Sequence, residues 1–217
     1  MNWAATARYA VTPAPGSLGL VHDFLNTRSA GNPRQRDLLD SAASAQQWVN
    51  AAASSWSIET GEEQPQVSLA APDCRVLRDF RSALLATVIG GAVDSAEPLA
   101  GGVPFSANTK LEIQLRDDGL VQVIPSGAGW RMVIAWVLSE VYRAQQSGEW
   151  HRLKSCRNKR CHTVFYDRSR NNSGVWHNVR TCGNAINLRA SRARRKNLVD
   201  ASSPISLVEP TTLTPDP

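Results

Sequence analysis

Four residues in the last third of the chain have the types and spacing of metal ligands: Cys156, Cys161, His177 and Cys182. Four residues separate Cys156 from Cys161, fifteen separate Cys161 from His177, and four separate His177 from Cys182. Two ligand pairs joined by a loop is the layout of a structural zinc site. Zn²⁺ favours four tetrahedral nitrogen and sulfur donors, and three thiolates with an imidazole close its shell. His162 is a rival donor, but it adjoins Cys161 and would crowd the tetrahedron, whereas His177 repeats the spacing of the first pair. The alternatives for these cysteines are disulfides or unrelated reduced thiols, and the clustering with histidine favours metal. A catalytic zinc keeps one position open beside three protein ligands and a general base. Here four candidates fill the shell, so no enzymatic activity is expected. The one nearby carboxylate, Asp167, suits holding Arg168 or Arg170 or capping a turn.

The ligands sit in the most basic part of the chain. Between His151 and Lys196 there are thirteen basic residues and one acidic residue, a local formal charge of +12. The remaining eleven basic and eighteen acidic residues leave −7, so the net +5 hides an acidic body carrying a basic module for a polyanion. After Cys182 comes GNAINLRASRARRK. Gly183 and Asn184 suit a helix entrance, and a helix from about Ala185 would set Ile186, Ala190 and Ala193 on one side. Arg189, Arg192 and Lys196 would share another side. A zinc module of this size gains folding free energy from its metal. Loss of His177 is therefore expected to unfold residues 152–196 and spare the rest.

The elements that must position this module read as mainly helical. The 217 residues are 42% hydrophobic and 20% charged, as in an ordinary globular protein. No apolar run approaches the roughly 18 to 20 residues of a membrane span. The first residues lack a secretion signal, so a cytoplasmic, nucleoid-associated location is expected. Residues 1–16 read as an irregular leader. Helical spacing appears over 17–27 (Leu18, Val21, Phe24, Leu25) and again from about Leu38 to Ala53, followed by a loop through Gly61 and Pro65. Asp73 caps a helix over about Cys74–Gly90, and Cys74 reads as a buried, bland thiol. His22 and His151 lack partners at ligand spacing and read as core or surface residues. Residues 92–108 read as a loop. Two alternating runs, 110–116 and 120–125, meet at an Asp-Gly turn, a hairpin signal. A helix over about Trp130–Gln146 offers Val133, Trp136, Val137, Val141 and Tyr142 to the core. A short hairpin is expected inside the basic module, with Phe165 and Trp176 beside the metal. The predicted class is mainly α with small β-hairpins (α+β), and residues 198–217 read as a disordered tail.

The basic module resembles the CGNR zinc-finger family of bacterial transcription regulators. Cys156 and Cys161 match its first cysteine pair. Phe165, Asp167 and Ser169 match its Phe-x-Asp-x-Ser stretch, Trp176 matches its tryptophan, and Cys182, Gly183 and Asn184 match its signature. His177 stands where the family has a third cysteine, and Ala185 where the signature has arginine. LVHDFLNT (20–27) is similar to the Leu-Asp-Phe-x-Asn-Thr start of the ABATE domain that accompanies this finger. The resemblance implies an ABATE-like domain over 17–148 and a treble-clef-like CGNR finger with a basic C-terminal helix over 149–197. It also implies a zinc cofactor, double-stranded DNA as partner, and a small-molecule effector or homodimerisation for the N-terminal domain. Arg189, Arg192, Arg194, Arg195 and Lys196 are the candidate DNA contacts on the helix, with Asn184 at its start. Arg168, Arg170 and Arg180 are candidates for phosphates. RNA binding, with Tyr166 as a stacking surface, and a zinc-stabilised protein-interaction module are the alternatives.

Overall fold

The computed structural model describes residues 3–90 and 105–201, with main chain alone at Gly90 and 196–201. Among these residues are six α-helices: α1 (Ala4–Ala7), α2 (Leu18–Leu25), α3 (Ala42–Thr60), α4 (Ala71–Gly90), α5 (Trp130–Gln146) and α6 (Asn184–Ala201). Two antiparallel two-stranded sheets accompany them: β1 (Lys110–Leu115) with β2 (Val121–Ser126), and β3 (Leu153–Ser155) with β4 (Val164–Tyr166). The class is α+β, as the sequence predicts.

Helix α2 is the axis of the molecule, and all eight of its residues are buried. Its apolar residues Leu20, Val21, Phe24 and Leu25 are in contact with α3, α4 and α5, with Phe24 against Trp48 and Phe80. The Ser41 side chain caps α3 by accepting from the Ser44 N–H. Helix α3 does not stop near Ala53 as its composition predicts but runs to Thr60, ending at Gly61 in the left-handed conformation. Trp56 explains the extension. Its ring packs edge-to-face on Trp136 of α5, and its Nε1 donates to the buried carboxylate of Glu140 at 3.0 Å. Asp73 lies within the first turn of α4 and reaches back to accept from the Ala70 N–H, half of a capping box. Val133, Trp136, Val137 and Val141 are buried as predicted, but Tyr142 is exposed, on the flank of α5 beside the first hairpin.

The stretch read as an irregular leader is built into this core. Residues 4–7 form a helical turn, and Trp3 and Ala5 are buried. The Trp3 indole lies so close to Gly19 that a Cβ there would come within 2.5 Å of it, so α2 must carry glycine at that point. Cys74 is buried, as expected. The loop expected over 92–108 lies largely outside the described residues, but Phe105 packs on Phe80. Of the tail, residues 198–201 continue α6 and the rest lies outside the described residues. No helix among the described residues is long and apolar enough to cross a membrane.

Candidate metal centre

The centre is assembled from three short pieces. Strand β3 enters it at Cys156, the turn 157–161 leads back to β4, and the loop 167–178 returns to a π-helical turn over Val179–Gly183 that continues into α6. A knuckle at the tip of the β3–β4 hairpin, followed by the helix, gives the treble-clef-like arrangement. Asn158 shapes the knuckle: its carbonyl accepts the Cys161 N–H at 2.7 Å and its side-chain oxygen accepts the Arg160 N–H. The Asn178 side chain accepts the Thr181 N–H and so starts the turn that presents Cys182. Trp176 packs on the cysteine cluster, as expected, while Phe165 is buried within β4.

These pieces bring Cys156, Cys161, His177 and Cys182 together, with one ligand atom from each within 4.8 Å of all the others. The Nδ1 atom of His177 is 3.4 Å from the Cys161 sulfur and 3.6 Å from the Cys182 sulfur. In a zinc tetrahedron with Zn–S about 2.3 Å and Zn–N about 2.0–2.1 Å, such an edge is about 3.6 Å. The donor set fits zinc in chemistry, the two nitrogen–sulfur distances match its tetrahedral edge, and His177 rather than His162 completes the cluster. The Thr163 hydroxyl stands 3.1 Å from the Cys161 sulfur, and the Asn158 amide donates to Cys182 at 3.4 Å. These neighbours, with main-chain N–H groups of Asn158 and His177 near Cys156, form the outer layer that orients the ligands and steadies thiolates. The two knuckle sulfurs are hydrogen-bonded to each other. The hydrogen bond from Cys156 holds the Cys161 thiol well below its ordinary range despite burial, and the His177 ring and Thr163 add to the effect. Cys156 is pushed up by the same hydrogen bond and by burial. Metal binding displaces such protons.

Asp167 does not hold Arg168 or Arg170. Its carboxylate pairs with Lys154 at 2.7 Å and accepts the N–H groups of Ser169 and Gly174. Lys154 is buried and also donates to the carbonyls of Asn172 and Gly174. This node folds the loop 167–174, and it removes Lys154 from the surface charge counted in the sequence. Burial would raise the Asp167 carboxyl, but the Lys154 ammonium and the two N–H groups outweigh it and hold it at about 2. Lys154, Asn158 and Thr163 escape sequence reading because no spacing rule marks an outer layer.

The finger is also continuous with the helical body, which the sequence reading did not anticipate. Leu153 and Val164 belong to the same hydrophobic core as α2. Asn26 accepts the Val164 N–H and donates to its carbonyl, both at 3.0 Å. The Nδ1 atom of His22 accepts the Ala14 N–H, so its Nε2 carries the proton and donates to the Val164 carbonyl, also at 3.0 Å. His22 is thus a core residue, held neutral by burial at about 4. Gly31, whose φ of 82° and contact with Tyr9 exclude a side chain, donates to the Cys161 carbonyl at 2.8 Å. The rest of LVHDFLNT is equally structural. Asp23 accepts from the Thr6 N–H and Trp48 Nε1, and Thr27 accepts from Arg81, itself paired with Asp37.

The basic residues separate into two groups. Arg168 is exposed but tied to the body, donating to the Pro13 carbonyl at 2.7 Å with its guanidinium over the Tyr166 ring. Arg170, Arg180, Asn184, Arg189, Arg192, Arg194 and Arg195 are exposed, and the Lys196 side chain lies outside the described residues. Ile186 is half-buried, but Ala190 and Ala193, expected to form an apolar side, are exposed. The first turns of α6 contact the π-turn, and the helix then stands away from the core.

No curated protein matches the chain significantly. Residues 152–195, about a fifth of the chain, match the family model of the CGNR zinc finger. A zinc-finger domain whose Cys/His cluster can hold a metal ion therefore occupies this part of the chain.

Proposed function

We propose that the protein is a zinc-dependent, DNA-binding transcription regulator that reads duplex DNA with α6. The observation that carries this reading is the state of that helix. Arg189, Arg192, Arg194 and Arg195 are exposed, no acidic residue falls between Asn184 and Lys196, and among the described side chains of the helix Leu188, Ala190 and Ala193 are exposed as well. An exposed helix face this rich in arginine and free of carboxylates suits a polyanionic partner. Contacts to phosphates would give affinity and salt dependence, and arginine contacts to base edges would give specificity. Arg170 and Arg180 extend the basic surface. Zinc is structural in this reading, since four protein ligands complete its tetrahedron and leave no position for a substrate. RNA binding is less well supported, because the Tyr166 ring is covered by Arg168 and its hydroxyl bonds Glu149. Selection of genomic fragments by the zinc-loaded chain tests the proposal. A discrete motif, lost on chelation and weakened at least tenfold in Arg192→Ala with zinc retained, is expected; sequence-independent binding unaffected by chelation would overturn it.

For the ABATE-like N-terminal domain the partner we infer is a second copy of the chain. In the β1–β2 hairpin, Leu111, Ile113 and Leu115 pair with Pro125, Val123 and Val121, so one face is apolar throughout. That face is turned outward, with Ile113 at 73% and Leu115 at 75% exposure, and Leu138 and Tyr142 of α5 extend it. A surface of this kind is self-complementary across a two-fold axis.

A further inference from the structure

Between the finger and the body lies a cavity of about 240 Å³, distinct from the metal cluster that forms part of its wall. One side is made by Arg8 and by the loop that follows α2, including Gln35; the other is made by Arg160 of the knuckle and by Thr181, Ala185 and Arg189. Three guanidinium side chains line this space and no carboxylate does. The hydrogen bonds of Arg8 go to the carbonyls of Ala5, Asn26 and Arg36 and to the Tyr9 hydroxyl, none of which carries a counter-charge. Arg160 and Arg189 are exposed, and among the described residues neither side chain has a hydrogen-bond or ion-pair partner. A zinc held by three thiolates would carry −1 and offset one arginine, leaving about two positive charges unanswered. Ala185 contributes no more than a methyl group to the wall of this seam.

We propose that this seam binds a tetrahedral oxyanion of the phosphate type, held by Arg160 and Arg189 and backed by Arg8. Guanidinium groups match phosphate oxygens in charge and in bidentate geometry. The volume lies below the roughly 300–1,000 Å³ of sites for drug-sized ligands and suits a small ion or a single phosphodiester. The ligand is either free phosphate or a phosphate of bound nucleic acid, and both share this chemistry. The proposal stands apart from the DNA reading, because free phosphate binding is measured without nucleic acid.

The test uses the zinc-loaded full chain with inorganic phosphate, by calorimetry and by thermal melting against chloride of matched ionic strength. Saturable binding with a rise in melting temperature is expected. Arg160→Gln should weaken it at least tenfold, and Ala185→Met, which fills the seam with an uncharged chain, should abolish it. Zinc content and circular dichroism must stay at parental values in both variants. If Ala185→Met unfolds, Arg160→Gln, an exposed substitution, decides alone. No effect beyond chloride, or undiminished binding in both folded variants, would overturn the proposal. Competition then assigns the source. Phosphate that displaces duplex DNA beyond the chloride control places a phosphodiester in the seam, and phosphate that binds alongside DNA makes the free ion the occupant; both support the pocket.

Discussion

Asp167 and His22 show how single ionisable groups tie the finger to its surroundings. Replacing Asp167 by Asn leaves the Lys154 ammonium buried without its counter-charge, and removing one partner of a buried pair costs about 3–5 kcal/mol. Denaturant unfolding of Asp167→Asn should show a loss of that order, largely recovered when Lys154 is also replaced by Met. Stability unchanged in the single variant would mean the pair is not buried in solution. His22 makes stability depend on pH. Burial holds its folded value at about 4, below the ordinary histidine value of 6.5, so the unfolded chain takes up a proton between these limits while the fold stays neutral. The contribution is complete above about 6.5 and is lost as pH falls towards 4, at most about 3 kcal/mol. His22→Gln, which keeps a donor for Val164, should lack this slope. The difference between the two sets of unfolding curves, measured at pH 7 and pH 5, isolates it from acid release of metal. Parallel pH profiles would show that His22 titrates normally in the fold.

At the scale of elements, the first hairpin gives the most direct prediction. Ile113→Lys places a charge at the centre of the outward apolar face, and sedimentation should show a parental dimer becoming monomeric with fold and zinc intact. A monomeric parent would overturn the dimer reading. The hairpin itself was legible, because an Asp-Gly turn between alternating runs fixes its register. The bounds of α5 were legible as well, since its apolar stripe is strong and Gly129 and Gly148 bracket it. The end of α3 was not: Ser54, Ser55 and Ser57 read as loop, and Trp56 meeting Trp136 and Glu140 across the core helps to keep them helical. For α6 the start was readable from Cys182, Gly183 and Asn184. The apolar side assigned to Ala190 and Ala193 was not real, because short side chains without a facing surface bury nothing. The four ligands came from spacing alone, since metal geometry constrains chain distance directly. The bonds from His22 and Asn26 to Val164 could not be read, because hydrogen bonds across some 140 residues leave no local pattern.

Across the whole molecule, those bonds change what loss of the metal should do. Had the finger been an independent bead, His177→Ala would unfold residues 152–196 and leave a sound helical domain. With Leu153 and Val164 in the shared core, the variant is expected to lose stoichiometric zinc and to melt at lower temperature as a whole, in one transition seen equally by tryptophan fluorescence and circular dichroism. Two separated transitions would restore the independent finger. The partnership of α2 with β4 also has a consequence for biosynthesis. Helix α2 leaves the ribosome early, with His22 and Asn26 committed to a buried strand that is translated about 140 residues later. Until that strand arrives, the bonds from His22 and Asn26 to Val164 cannot form, and closing so long a loop is slow. If the cluster takes zinc as proposed, zinc supply would act as a checkpoint on the entire polypeptide: a chain made during zinc starvation would be left as one unfinished substrate for proteases, not as a functional domain trailing an unfolded end.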